Sequence, residues 1–137
     1  MANDPVLIAE TRSWFVKAAE DIGAGSLDLE APTPFTADAV FHAQQAVEKT
    51  LKAFLTWHGQ AFRKTHNLEE VGEQCLRIDG TLRDLIDRAA PLTEYAWKYR
   101  YPGEQARPTK AEAAESLAIA EEAYESVLVR LPKDVRP

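Results

Sequence analysis

Three histidines, His42, His58 and His66, are the side chains best suited to acid–base or metal chemistry. His42 and His58 lie too far apart on one helix to share a ligand geometry, and His66 sits beside Arg63 and Lys64, whose charges repel a cation. No His-x-x-x-His or Glu-x-x-His pair occurs, so no metal and no cofactor is expected. Cys75 is the only cysteine and falls at an apolar helical position, where a free thiol acts as a small hydrophobe. There is no Gly-x-Ser-x-Gly elbow and no glycine-rich phosphate loop ending in Lys-Ser/Thr.

Anion binding is the chemistry that remains. Residues 49–66 hold Lys49, Lys52, Arg63 and Lys64 and no carboxylate. Residues 111–125 hold Glu112, Glu115, Glu121, Glu122 and Glu125 and no basic side chain. An acidic chain can therefore still present a local positive surface. Lys49 and Lys52 lie on adjacent helical rows and can face a phosphate; Glu48 and Lys52, four apart, equally read as a solvated ion pair. The stretch from Glu94 to Pro102 is the densest in rings and positive charge, with Tyr99, Arg100 and Tyr101 at its end. Such residues stack bases and hold phosphates. The same composition also packs a core or a dimer interface.

The elements that must position these groups read as helices throughout. At 137 residues, 45% hydrophobic and 28% charged, the chain fits one globular domain and lies outside the disordered class. The net charge of −6 argues against duplex nucleic acid bound over the whole surface. No apolar run reaches the ~18 residues of a membrane helix, and the start, Met1 to Pro5, has no secretion-signal character, so a cytoplasmic protein is expected.

Asp4-Pro5 predicts the cap and first turn of a helix carrying Ile8, Trp14, Phe15, Ala18 and Ile22, weakened at Gly23 and Gly25 and ending near Leu29. Pro32 and Pro34 break the chain. A second helix is predicted from Thr36 to His58, stopped by Gly59, with Gln45, Glu48, Lys49, Lys52 and Thr56 on its polar face. After a loop over 60–66, Asn67 and Glu70 predict a capping box and a third helix; Thr81 is read as the cap of a fourth, which Pro91 kinks or restarts. Following a loop over 102–108, Thr109 and Glu112 predict a second capping box and a last helix ending at Pro132. No segment alternates as a strand does. The expectation is an all-α, up-and-down antiparallel bundle of four long helices plus one or two short pieces, a single domain over 1–132 with 133–137 as a loose tail.

The run from Phe41 through His42, Gln44, Gln45, Glu48, Lys49 and Lys52 to Leu55 resembles the signature of the HEPN domain, the "higher eukaryotes and prokaryotes nucleotide-binding" family. Trp14 with Ala18, Ala19, Asp21 and Ile22 resembles the family's first helix, Thr65-His66-Asn67-Leu68 the start of its third, and Arg100-Tyr101-Pro102-Gly103 its Arg-Tyr-Pro element. The resemblance spans roughly residues 10–130 in order and spacing.

It implies a helical bundle paired as a homodimer. It also implies, for prokaryotic members, a minimal nucleotidyltransferase partner in a two-component, toxin–antitoxin-like system. Many members are metal-independent ribonucleases whose Arg is followed four to six residues later by His. This chain departs from that pattern: no histidine follows Arg100, and Arg63 precedes His66 too closely. The expectation is a dimeric accessory protein binding a nucleotidyltransferase and a nucleotide or RNA phosphate through Lys49, Lys52, Arg63, Lys64, Tyr99, Arg100 and Tyr101. The alternatives are a ribonuclease with a rearranged site using His42 or His66 with Arg100, or a structural dimeric scaffold.

Overall fold

A computed structural model describes residues 4–103 and 106–137. The first helix, α1 (Pro5–Glu30), begins as its sequence dictates, with the Asp4 carboxylate accepting from the Val6 amide at 2.9 Å and the Leu7 amide at 3.5 Å. It runs unbroken through both glycines. Gly25 is buried, and a Cβ there would lie 2.5 Å from Leu117 Cδ2 and 3.4 Å from the Ala39 carbonyl. The helix continues because packing outweighs the propensity loss: the missing side chain lets α1 approach two neighbours. Beyond residues 31–35, where the Phe35 amide donates to the Asp28 carbonyl at 3.0 Å, the chain reverses into α2 (Thr36–Trp57).

The second helix is the centre of the molecule, packed between α1 on one side and α5 (Lys110–Leu128) on the other. Ala43, Ala46, Val47, Leu51, Phe54 and Leu55 form the core that the apolar periodicity predicts. The predicted polar face is the first correction. Glu48 and Lys52 are buried, because the loop over residues 60–67 folds back across them. Gly59, at φ 68°, makes the left-handed stop that allows this return, with the Gln60 amide donating to the Leu55 carbonyl at 2.9 Å.

Asn67 caps α3 (Leu68–Ile78) through the Glu69 and Glu70 amides, but Glu70 turns to Arg63 and does not close a capping box. The fourth helical stretch, with a restart at Pro91 as one of its two expected forms, is three short pieces: a 3₁₀ turn over Gly80–Leu82, capped by Asp79 where Thr81 was expected to cap, then α4 (Arg83–Ala89) and a 3₁₀ segment over Ala90–Ala96. Thr93 holds that segment in place, its hydroxyl accepting from the Leu68 amide and donating to the Ala90 carbonyl. The last helix, α5, opens on the predicted capping box, with Thr109 and Glu112 bonded reciprocally at 2.8 and 3.0 Å.

The architecture is all-α as expected, with no strand among the described residues and five α-helices, of which α1, α2 and α5 are the longest. The tail also differs from expectation. Residues Lys133–Val135 form a 3₁₀ turn, Val135 is fully buried, and Arg12 donates to the Asp134 carbonyl. Burial of one valine and one hydrogen bond is enough to seat the segment on α1. Two residues of the 102–108 loop, Glu104 and Gln105, and the first three of the chain lie outside the described residues.

Candidate functional site

Three groups of polar side chains surround α2. The deepest centres on Glu48, whose side chain is 6% exposed. Its carboxylate accepts from Lys52 Nζ at 2.9 Å, His66 Nδ1 at 2.8 Å and Gln44 Nε2 at 3.2 Å. Lys52 Nζ also donates to the Thr65 carbonyl at 3.2 Å and lies over the rings of Trp14 and Phe62. A buried charge without partners is strongly unfavourable, so the further donors His66 and Gln44 on Glu48, with the Thr65 carbonyl and two rings on Lys52, make the ion pair tenable and pin the loop to the helix. Lys52 is thus withdrawn from any ligand, and His66 leaves only its exposed ring edge outside the network.

Toward the start of α2 lies a second group, built on the face that meets α1. His42 Nδ1 is 2.8 Å from Asp21 Oδ1, and Lys49 Nζ is 2.6 Å from Asp21 Oδ2. Burial opposes ionisation of Asp21, but the hydrogen bonds from His42 and Lys49 overcome it and hold its carboxyl below the ordinary 3.8. The bond to Asp21 in turn raises His42, against the pull of its own burial and helped by Asp38 and Asp28. On the other ring edge, His42 Nε2 is 3.2 Å from Asp38 Oδ2, one turn earlier on the helix. Asp28 faces Asp38 from α1. Burial and this facing carboxylate push Asp28 up to about 6, and its Oδ2 is shielded from solvent with no hydrogen-bond partner.

The third group opens outward. Tyr99, Arg100, Tyr101, Pro102, Gly103 and Arg107 meet Phe35, Ala37 and Asp38 around a cleft of about 350 Å³. The Arg100 guanidinium lies over the Phe41 ring, its Cζ 3.9 Å from the centroid, and its Nη1 is 3.5 Å from Asp38 Oδ1. Both members of this pair are nearly half exposed, so the contact is worth at most about 1 kcal/mol. Arg100 is therefore held in place by stacking while its charge stays available. Tyr101 is 77% exposed beside it, whereas Tyr99 stacks on Tyr95 at 5.9 Å and packs against the core. The aromatic segment is thus divided, with Tyr99 turned toward the core and Tyr101 toward solvent.

The expected single positive surface is divided. Lys49 is paired with Asp21, Lys52 with Glu48 and Arg63 with Glu70 by two hydrogen bonds of 2.9 and 2.6 Å. Lys64 is exposed on the loop. Tyr99, Arg100 and Tyr101 do come together, and Arg107 and Phe35 join them although neither was singled out by the sequence. A basic residue in the proline-bounded loop after Tyr101 was the available signal for Arg107. The structure also brings His42 and Arg100 onto one carboxylate, Asp38, while His66 is tied to Glu48. Cys75 is fully buried and its thiol is pushed up to about 12 by burial, so it is inert as a nucleophile.

No curated protein matches the chain significantly, and no solved structure does. A family model does: the model of the HEPN domain matches residues 11–130. That interval takes in both carboxylate–histidine groups, the aromatic cleft and, apart from the first turns of α1, the helices that build them. The helical architecture agrees with it, and the chain belongs to the HEPN domain family.

Proposed function

We propose that this protein is a dimeric HEPN accessory subunit, acting in the cytoplasm, that binds a minimal nucleotidyltransferase partner and holds the phosphate of a nucleotide or RNA in the Arg100 cleft. The observation that carries this reading is the cleft itself. A guanidinium pre-oriented on the Phe41 ring, a second arginine at Arg107 and an exposed Tyr101 line one opening about 350 Å³ in volume. A phosphate carries more charge than Asp38 and presents two oxygens to the guanidinium fork, so it displaces the weak 3.5 Å contact. Tyr101 supplies a free ring face for a base. The missing histidine after Arg100 argues for binding over cleavage.

Titration with ATP followed by calorimetry tests the assignment. Arg100→Ala is expected to weaken binding about tenfold or more, the value of a charge-assisted hydrogen bond, with Lys17→Ala, exposed on α1 and not part of the cleft, as the unchanged control. Equal affinities for the two variants overturn it. Native mass spectrometry of the protein from its own cells reads the dimer and any bound nucleotidyltransferase directly. Because His42 and Arg100 share Asp38, labelled RNA is the companion substrate. Cleavage lost in both His42→Ala and Arg100→Ala would establish a ribonuclease in place of the accessory reading.

A further inference from the structure

The group formed by Asp28, Asp38 and His42 has a geometry that neither the nucleotide cleft nor the core requires. One ligand atom from each of the three lies within 4.8 Å of the others. Asp38 and His42 are one turn apart on α2, so both project from the same face, and Asp28 comes across from the end of α1. His42 Nε2 and Asp38 Oδ2 are 3.2 Å apart. Two ligands each about 2.0 Å from a zinc ion at the tetrahedral angle are separated by about 3.3 Å, so this pair already has metal-ligand spacing.

Two further observations bear on this group, one on the far side of His42 and one on Asp28 itself. The second nitrogen of His42 is engaged by Asp21, which Lys49 fixes from the other side at 2.6 Å. A carboxylate on the far nitrogen is the arrangement that orients a metal-binding imidazole and raises its basicity. Asp28 Oδ2 is a solvent-shielded acceptor that finds no donor in the protein. Three carboxylates surround one imidazole; the cations facing them are Lys49, spent on Asp21, and Arg100, on the outer oxygen of Asp38.

We propose that Asp28, Asp38 and the Nε2 atom of His42 form a binding site for a first-row divalent cation such as zinc, oriented by Asp21 and joining the end of α1 to the start of α2. One nitrogen and two carboxylate oxygens suit such an ion, with water completing the shell. The competing occupant is a single proton shared between Asp28 and Asp38. This proposal does not depend on the nucleotide reading: the two share the Asp38 carboxylate, but the metal site uses its Oδ2 side and is read out without any nucleotide.

The test is calorimetric titration of the metal-stripped protein with Zn²⁺, alongside thermal melts with and without the ion. One equivalent per chain is expected, with a raised melting temperature. His42→Gln is expected to remove binding, and Asp28→Asn and Asp38→Asn each to weaken it at least about tenfold, the lower limit for losing even an outer partner. Asp21→Asn, acting through His42, is expected to weaken it about tenfold to a hundredfold. His58→Gln and His66→Gln are expected to leave it unchanged. Asp28→Asn removes one of two facing carboxylates, so that variant melts no lower than the wild type without metal, which separates lost ligation from lost folding. No uptake, or uptake that survives Asp28→Asn and Asp38→Asn, overturns the proposal.

Discussion

His42 is the residue through which most of the polar chemistry passes, and its spacing concealed this. A search for His-x-x-x-His or Glu-x-x-His steps over Asp38-x-x-x-His42, and nothing local announces that Asp21 and Asp28, from a different helix, close around the same ring. The contacts make a pH prediction for the metal-free protein. His42 is raised above 6.5 by its bond to Asp21, so its stabilisation is complete below 6.5 and is lost as pH rises through the folded value. Asp21 is held below 3.8, so its contribution is present above 3.8 and is lost as pH falls through the lower folded value. The pair therefore contributes in full between 3.8 and 6.5. NMR titration of the imidazole should give a midpoint above 6.5, and Asp21→Asn should bring it down. A wild-type midpoint at or below 6.5 would show that burial, not Asp21, controls the ring.

At the scale of elements, most helix starts were legible because capping is written locally. Asp4, Asn67 and Thr109 each do what their type and position dictate. The failures have one cause, which is tertiary contact overriding a local rule. Glu48 and Lys52 look like a surface pair by spacing alone, yet a returning loop buries them. Gly25 looks like a weak point, yet close packing against Leu117 and Ala39 is what keeps the helix continuous there. The two glycines of α1 should accordingly respond in opposite directions. At Gly23 a Cβ meets nothing within 4 Å, so Gly23→Ala should raise stability by about 0.5–1 kcal/mol. Gly25→Ala drives a methyl into buried Leu117, and overpacking of about 1–3 kcal/mol exceeds the propensity gain, so stability should fall. Urea unfolding of both variants reads the signs, and a shared sign would refute the packing argument.

For the whole molecule, fold class, helix order and family were readable from composition, periodicity and the Phe41–Leu55 signature, while the closure of the structure was not. The last residues follow a proline and are mostly polar, so nothing in them signals that Val135 completes the core. Removing residues 133–137 should lower stability by about 2 kcal/mol, the value of burying one valine side chain. An unchanged urea midpoint would mean that the tail is dispensable after all. The cleft and the buried carboxylates are likewise a property of assembly, since they draw on α1, α2 and the segment after α4 together. Asp38 stands where these meet, with one oxygen toward Arg100 and the other toward His42. Linkage through a shared carboxylate is reciprocal. An anion that draws Arg100 away leaves Asp38 more negative toward the imidazole, which then holds its proton more firmly. By the same factor, a proton on His42 tightens the anion's hold, so occupancy of the cleft is accompanied by proton uptake even when the ligand itself does not titrate.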